Sequence, residues 1–136
     1  MSYAVSAALQ AAVYQKLSTD LTLSGLVGNA IYDALPNGTL PTTYVLLGED
    51  VTQDASDGTG GGAWHRLTVS VVSDQAGFYT AKSVAAAIND ALVDADLPLT
   101  IGTLVALHFF RARAAREDTG DTRRIDIIFR ARVDAS

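Results

Sequence analysis

Between Leu26 and Leu92 the chain constrains its own fold most tightly, through the order of its elements. A short apolar segment, LVGNAIYDALP, is followed by a strand-like PTTYVLLGED, a loop rich in glycine and aspartate, a second strand-like WHRLTVSVVSD, and an alanine-rich amphipathic stretch. Two strands joined by a polar loop, with a helix able to lie on them, define an α+β unit. In the second strand Leu67, Val69 and Val71 alternate with Arg66, Thr68 and Ser70, the period of a half-buried strand ending at Ser73-Asp74. In the helix Ala81, Val84, Ala85, Ile88, Ala91, Leu92 and Ala95 trace one stripe, Lys82, Ser83, Asn89, Asp90 and Asp94 lie off it, and Pro98 prevents continuation. Small alanines allow close approach to the strands, so added bulk at Ala85 is expected to destabilise by overpacking.

The flanking segments extend this pattern. Val5, Ala8, Leu9, Ala12, Val13 and Leu17 recur at three- and four-residue steps, which predicts a core-packing helix over Ser2 to Ser18 with Gln10, Gln15 and Lys16 outside. Thr19 or Asp20 can cap a short helical turn carrying Leu21, Leu23, Leu26 and Val27, which Gly28 would stop in a left-handed conformation. Ile31 and Tyr32 open a brief extended piece, Pro36-Asn37-Gly38 forces a turn, and Pro41 starts the next strand. Over Thr43 to Asp50, Val45 and Leu47 fall on one face and Tyr44 and Leu46 on the other, so the strand is expected to be internal. Residues 54 to 62 have a loop composition with high ordering entropy and are expected to be mobile.

The last third reads as one long hairpin. Thr103 to Ala115 and Thr122 to Val133 form its arms, with Glu117 to Asp121 as the turn. Ile125, Ile127, Phe129, Ala131 and Val133 point one way, and Arg124, Asp126, Arg130 and Arg132 the other. An arm of about a dozen residues spans roughly 40 Å, whereas a globule of this length has a radius of gyration near ~14 Å. The tip around Arg113 to Arg124 is therefore expected to project beyond the body. The whole is read as one domain, residues 1–136, of class α+β: a mostly antiparallel sheet with two main helices packed on it and a long C-terminal β-hairpin.

Charge is distributed unevenly over this plan. Residues 1 to 100 hold three basic and ten acidic side chains, net −7, whereas residues 101 to 136 hold seven arginines and five acids, net +2. Opposite patches on one molecule become complementary surfaces between molecules. Arg111, Arg113, Arg116, Arg123, Arg124, Arg130 and Arg132 are thus the candidate subunit or partner interface. The same arginines, with Phe109, Phe110 and Phe129 nearby, could also form a β-ribbon that tracks phosphates, but five interleaved acids and an acidic remainder weaken that alternative.

Reactive chemistry finds no foothold in the pattern. The chain has no cysteine, which excludes disulfides and zinc-thiolate sites and suits a reducing compartment. His65 and His108 are too far apart in sequence to make a metal site by spacing. The Asp54-Ser56-Asp57 loop lacks a glutamate at its twelfth position, which is His65, and so is not a calcium loop. Gly58 to Gly62 is followed by neither Gly-Lys-Ser/Thr nor a helix, so it is not a phosphate cradle. There is no Gly-x-Ser-x-Gly elbow, and Asp94 and Asp96 sit at a helix end as solvated groups. No catalytic residue, metal site or cofactor is therefore expected, nor any membrane span or signal peptide, since the longest apolar run, near Ile101 to Phe110, is about half of the ~20 residues a span needs.

Taken together, LVGNAIYDALPNGTLPTTYVLLGED, LTVSVVSDQAGFYTAKSVAAAINDAL and DIIFRARV resemble the tail completion, or tail terminator, proteins of long-tailed bacteriophages and of phage-like gene transfer agents. The likeness runs from Val5 to Val133. It departs at Thr42-Thr43-Tyr44, where the family more often sets the aromatic directly after proline, a change that affects only the strand's register. The resemblance implies a non-enzymatic structural subunit of the virion or particle tail, assembled in the host cytoplasm. It further implies a homo-hexameric ring that caps the tail tube protein, ends its polymerisation, joins a head-tail connector or stopper protein, and lets DNA pass without specific binding. A connector or stopper ring protein is the neighbouring alternative.

Overall fold

Residues 3–55, 61–117 and 121–135 are described by the computed structural model. Helix α1 spans Ala4–Thr19 and buries Val5, Leu9, Val13 and Leu17, the central line of the predicted stripe. Asp20 then caps α2 (Leu21–Val27), its carboxylate accepting the Leu23 N–H at 2.9 Å. Only Leu23 of that helix is buried; Leu21 is 87% exposed. The helix stops at Gly28, whose positive φ of 61° comes with a ψ of −129°, so this is not the left-handed cap expected.

Five strands follow: β1 (Ile31–Tyr32), β2 (Thr43–Asp54), β3 (Gly62–Ser73), β4 (Thr103–Arg116) and β5 (Arg123–Asp134), with α3 (Tyr79–Leu92) between β3 and β4. They form one sheet in the order β1-β2-β3-β5-β4. The β1 and β2 strands are parallel and every other pairing is antiparallel. Inward side chains of β2, β3 and β5 meet those of the helices in a continuous buried cluster centred on Phe129, Leu9, Ile88 and Val69. Among the described residues the opposite sheet face carries no helix, in keeping with the strict inside-outside alternation of β5.

Several expectations need correction. The β2 strand begins at Thr43, two residues past Pro41, and runs on to Asp54 through an irregularity between Leu47 and Asp50. The β3 strand is central, and Ser70, Val72 and Ser73 are buried along with the predicted line, so its last turn is covered on both faces. In α3 the buried stripe is Ala81, Val84, Ala87, Ile88, Ala91 and Leu92. Ala87 takes the place assigned to Ala85, which is only partly buried, and the helix ends at Leu92, well before Ala95 and Pro98.

The hairpin also differs in an important respect. Its arms are as expected, but β3 pairs with β5 from Gly62 opposite Asp134 all the way to Ser73 opposite Arg123. A third strand therefore accompanies the ribbon to its end, and the arm does not project as a free two-stranded element. Of the loop expected to be mobile, residues 56–60 lie outside the described residues, as do 118–120 of the hairpin turn and most of the rejected calcium and phosphate loops.

Candidate functional site

The helix-free face of the sheet gathers most of the candidate arginines. By register, Trp64, Arg66, Thr68 and Ser70 of β3 share this face with Arg124, Asp126, Ile128, Arg130 and Arg132 of β5. On β4 a bulge puts Arg111 opposite Ile128 and leaves Phe110 as the extra residue, so Phe110 and Arg111 both join the face. Arg113, opposite Asp126, completes the row.

Stacking orders its centre. The Arg130 guanidinium lies 4.5 Å from the Trp64 ring centroid and 5.7 Å from that of Phe110, and Arg66 lies 4.7 Å from Phe110. Arg132 reaches Trp64 at 5.9 Å and also donates to the Ala55 carbonyl at 3.2 Å. Each such contact at an exposed site contributes about 0.5–1 kcal/mol. A planar guanidinium can stack and still donate at its rim. The row of Phe110, Arg66, Arg130, Trp64 and Arg132 is thus a pre-ordered cationic-aromatic surface.

At the other end of the face Arg124 is held by acids. Its Nε donates to Asp126 at 2.9 Å, its terminal amine donates to Ser70 at 3.2 Å, and Glu117 lies 3.8 Å away. Ser70 in turn donates to Asp126 at 2.6 Å. Burial opposes the Arg124 charge, but the Asp126 hydrogen bond and the charges of Asp126 and Glu117 outweigh it and hold the guanidinium above its ordinary value. Beside this network Leu46, Gly48, Glu49, Thr68 and Ile128 wall a shallow groove of about 280 Å³.

Two candidates lie elsewhere. Arg116 and Arg123 face each other at the closing end of the hairpin, and Arg123 stacks 5.7 Å from Phe78 while donating to the Gln75 carbonyl. They belong to the hairpin end near the start of α3, apart from the cationic-aromatic row. His65 and His108 stand opposite Ala131 and Arg130, consecutive residues of β5, and hence on opposite faces. Among the described residues no three metal-capable side chains are gathered.

Sequence reading passed over two features. One is Trp64 with Arg66, which a two-residue period carried one step upstream would have set on the arginine face. The other is a buried polar cluster on the helix side. His65, 1% exposed, has Nδ1 at 3.0 and 3.1 Å from the two Asp50 oxygens, and Ser6 of α1 donates to Asp50 at 2.8 Å. A carboxylate only accepts, so Nδ1 carries the proton. Thr52 adds a hydroxyl 3.1 Å from Nδ1. Burial raises the Asp50 carboxyl, yet the bonds from His65, Ser6 and Thr52 and the pull of His65 hold it below its usual value. This cluster fastens α1 to β2 and is not open to a ligand.

The edges of the sheet are unlike each other. The β4 strand is the outer strand of the sheet, with Val105 57% and Phe109 49% exposed, and its edge is covered at Leu107, whose carbonyl accepts from the Asp94 N–H at 3.0 Å. At the other side the two-residue β1 pairs with Val45 and Leu46 of the twelve-residue β2.

Residues 11–134 match the family described as tail completion protein gp17. No curated protein matches the chain. Among solved structures, a chain from "Virion of native gene transfer agent (GTA) particle" is 59% identical, with 98% of this chain and 99% of that one covered and a TM-score of 0.94.

Proposed function

This chain belongs to the family of tail completion protein gp17, and from that premise we propose that it is the terminator of a gene transfer agent or phage tail. Copies close into a hexameric ring on the last layer of the tail tube. One axial face matches the tube and the other does not, so tube addition ends there, and the second face receives a head-tail connector or stopper protein. DNA passes through the opening without specific contacts. The mechanism is capping by shape, with no bond made or broken.

The observation that carries this reading is the near full-length likeness, at 59% identity, to a chain of an assembled gene transfer agent particle. Its physical support is the asymmetry of the subunit. A closed ring needs two different complementary patches on each copy, and the chain offers an arginine-rich surface, an acidic remainder and two unlike sheet edges. Deleting the gene should give particles whose tails are over-long or lack heads, seen by electron microscopy. Tails of normal length still joined to heads would end this reading.

A connector or stopper ring is the second reading, favoured by the same asymmetry. It is separated by asking whether the purified ring binds preformed tubes or the connector. Nucleic-acid binding is a third, resting on the row of Arg66, Arg130, Arg132 and Trp64. It requires DNA retardation at low salt, and replacing Arg111, Arg113, Arg130 and Arg132 by alanine should then flatten the salt dependence.

A further inference from the structure

We propose, building on the ring reading, that the helix-free sheet face of one copy seats the acidic end of α3 of the next, with Asp90 and Asp96 pairing with Arg66 and Arg130.

The face carries charge that its own fold does not compensate. Val51, Arg66, Arg130 and His108 stand in register across β2, β3, β5 and β4, so two arginines face each other directly with a histidine beside them. Like charges opposite one another destabilise a sheet. His108 has an acid near it, Asp94 at 3.7 Å, whereas among the described residues Arg66 and Arg130 form no ion pair. Both guanidiniums stack on Phe110 instead, and the buried Nε of Arg130 has no hydrogen-bond partner among the described residues. Two guanidiniums ordered by stacking, with donors left over, suit carboxylates. Val51 and Phe110, 62% and 39% exposed, add apolar surface around them.

Charge complementarity selects the occupant. Asp90, Asp94 and Asp96 are all exposed at the C-terminal end of α3, where the helix itself supplies partial negative charge and no basic side chain lies in the last turn. A cation is what that end lacks. Among the described residues Asp90 and Asp96 are in no ion pair, although Lys16 lines the same groove as Asp96. That groove, shared with Ala12 and Thr19 of α1, puts the acids on the helix layer, across the sheet from the arginines. The two patches cannot meet within one copy, so their contact joins unlike surfaces of different copies, as closure into a ring demands. A run of phosphates is the poorer match, because Asp126 and Asp134 of β5 share the face with the arginines.

Two double variants of the full chain test this. Arg66→Gln with Arg130→Gln disables the face, and Asp90→Asn with Asp96→Asn disables the end of α3. By light scattering, each alone should need a concentration roughly tenfold higher or more to assemble, with its far-UV circular dichroism unchanged. Mixed in equal amounts, the two should form a dimer of one copy of each and stop there, because each brings one working patch. On the unaltered chain, assembly should weaken as salt is raised, since partly exposed ion pairs are screened; this measurement decides the matter even where a variant fails to fold. Variants that assemble like the unaltered chain, a mixture that stays monomeric at every concentration, or assembly indifferent to salt would overturn the contact while leaving the ring intact. DNA retardation lost in the arginine variant with rings unchanged would overturn it in favour of nucleic acid. An unaltered chain that stays monomeric at every concentration would overturn the ring reading and this contact together.

Discussion

Gly102 and Gly77 both hold φ +75°, and comparing alanine at each isolates one steric contact. At Gly77 an added Cβ meets nothing within 4 Å, so Gly77→Ala carries only the conformational penalty of an L residue in the left-handed region. That is about 1–2 kcal/mol. At Gly102 the same Cβ would stand 2.6 Å from the Asp134 carbonyl oxygen and 3.1 Å from Val5 Cγ2. Relief would require the backbone of Asp134 to move. It is paired with Gly62 on one side and Thr103 on the other, so it sits where two ladders meet. Overpacking against such a fixed neighbour adds about 1–3 kcal/mol. Gly102→Ala should therefore destabilise by about 2–5 kcal/mol, against about 1–2 kcal/mol for Gly77→Ala. Urea denaturation, at one protein concentration because assembly would raise apparent stability, can be followed through Trp64, the chain's only tryptophan. If the two variants unfold at the same midpoint, the claim that paired strands hold Asp134 in place is wrong.

Other expectations follow from the same geometry. Ala87→Leu should cost about 1–3 kcal/mol because Ala87 faces the core, and Ala85→Leu clearly less; equal midpoints in urea would contradict the orientation of α3. Arg130→Ala should shift the Trp64 emission maximum and lower stability by about 0.5–1 kcal/mol through loss of stacking, and an unchanged spectrum would mean the stack does not persist in solution. Asp50→Asn should cost about 1.5–3 kcal/mol at neutral pH, the range for hydrogen bonds to a charged group. Because the folded Asp50 carboxyl lies below its unfolded value of 3.8, its stabilisation is complete above that pH and is lost as the pH falls through the lower folded value. The gap between Asp50→Asn and the unaltered chain should thus narrow below about pH 4, and a gap that stays constant from pH 7 to pH 3 would refute the assignment.

What could be read from the residues was whatever repeats locally. The period of α1, the alternation of β5 and the two arms of the hairpin are set by successive side chains choosing core or solvent, and each is found where its pattern places it. Ala85 and Ala87 show the limit of that reading. Both are alanine, their burial differs by a rotation of the helix, and a stripe of small residues is too faint to fix that rotation. The bulge at Phe110 is likewise absent from any period, although it brings Phe110 and Arg111 to one face and makes the cationic-aromatic row possible. His65 and Asp50 meet only because the register of β2 against β3 brings them together.

The expected projection of the hairpin tip failed in one instructive way. A two-stranded ribbon of such length needs support, and the hairpin read alone is expected to reach beyond the body. The chain supplies it internally, by laying β3 along β5 to the last pair. That moves the exposed surface from the tip to the flank. The arginines of β5 become a half-buried row with acids and aromatics between them, and the outer edge of the sheet passes to β4. An apolar run such as Thr103 to Phe110 looks like core strand in a sequence, because hydropathy records the need for cover and not its source. Here β5 covers one side, and the other is covered in part by the segment after α3, whose Asp94 N–H donates to the Leu107 carbonyl at 3.0 Å. What remains exposed there, Val105 and Phe109, is poorly matched to water, so under the ring reading proposed above contact with a neighbouring copy at β4 would remove apolar surface from solvent.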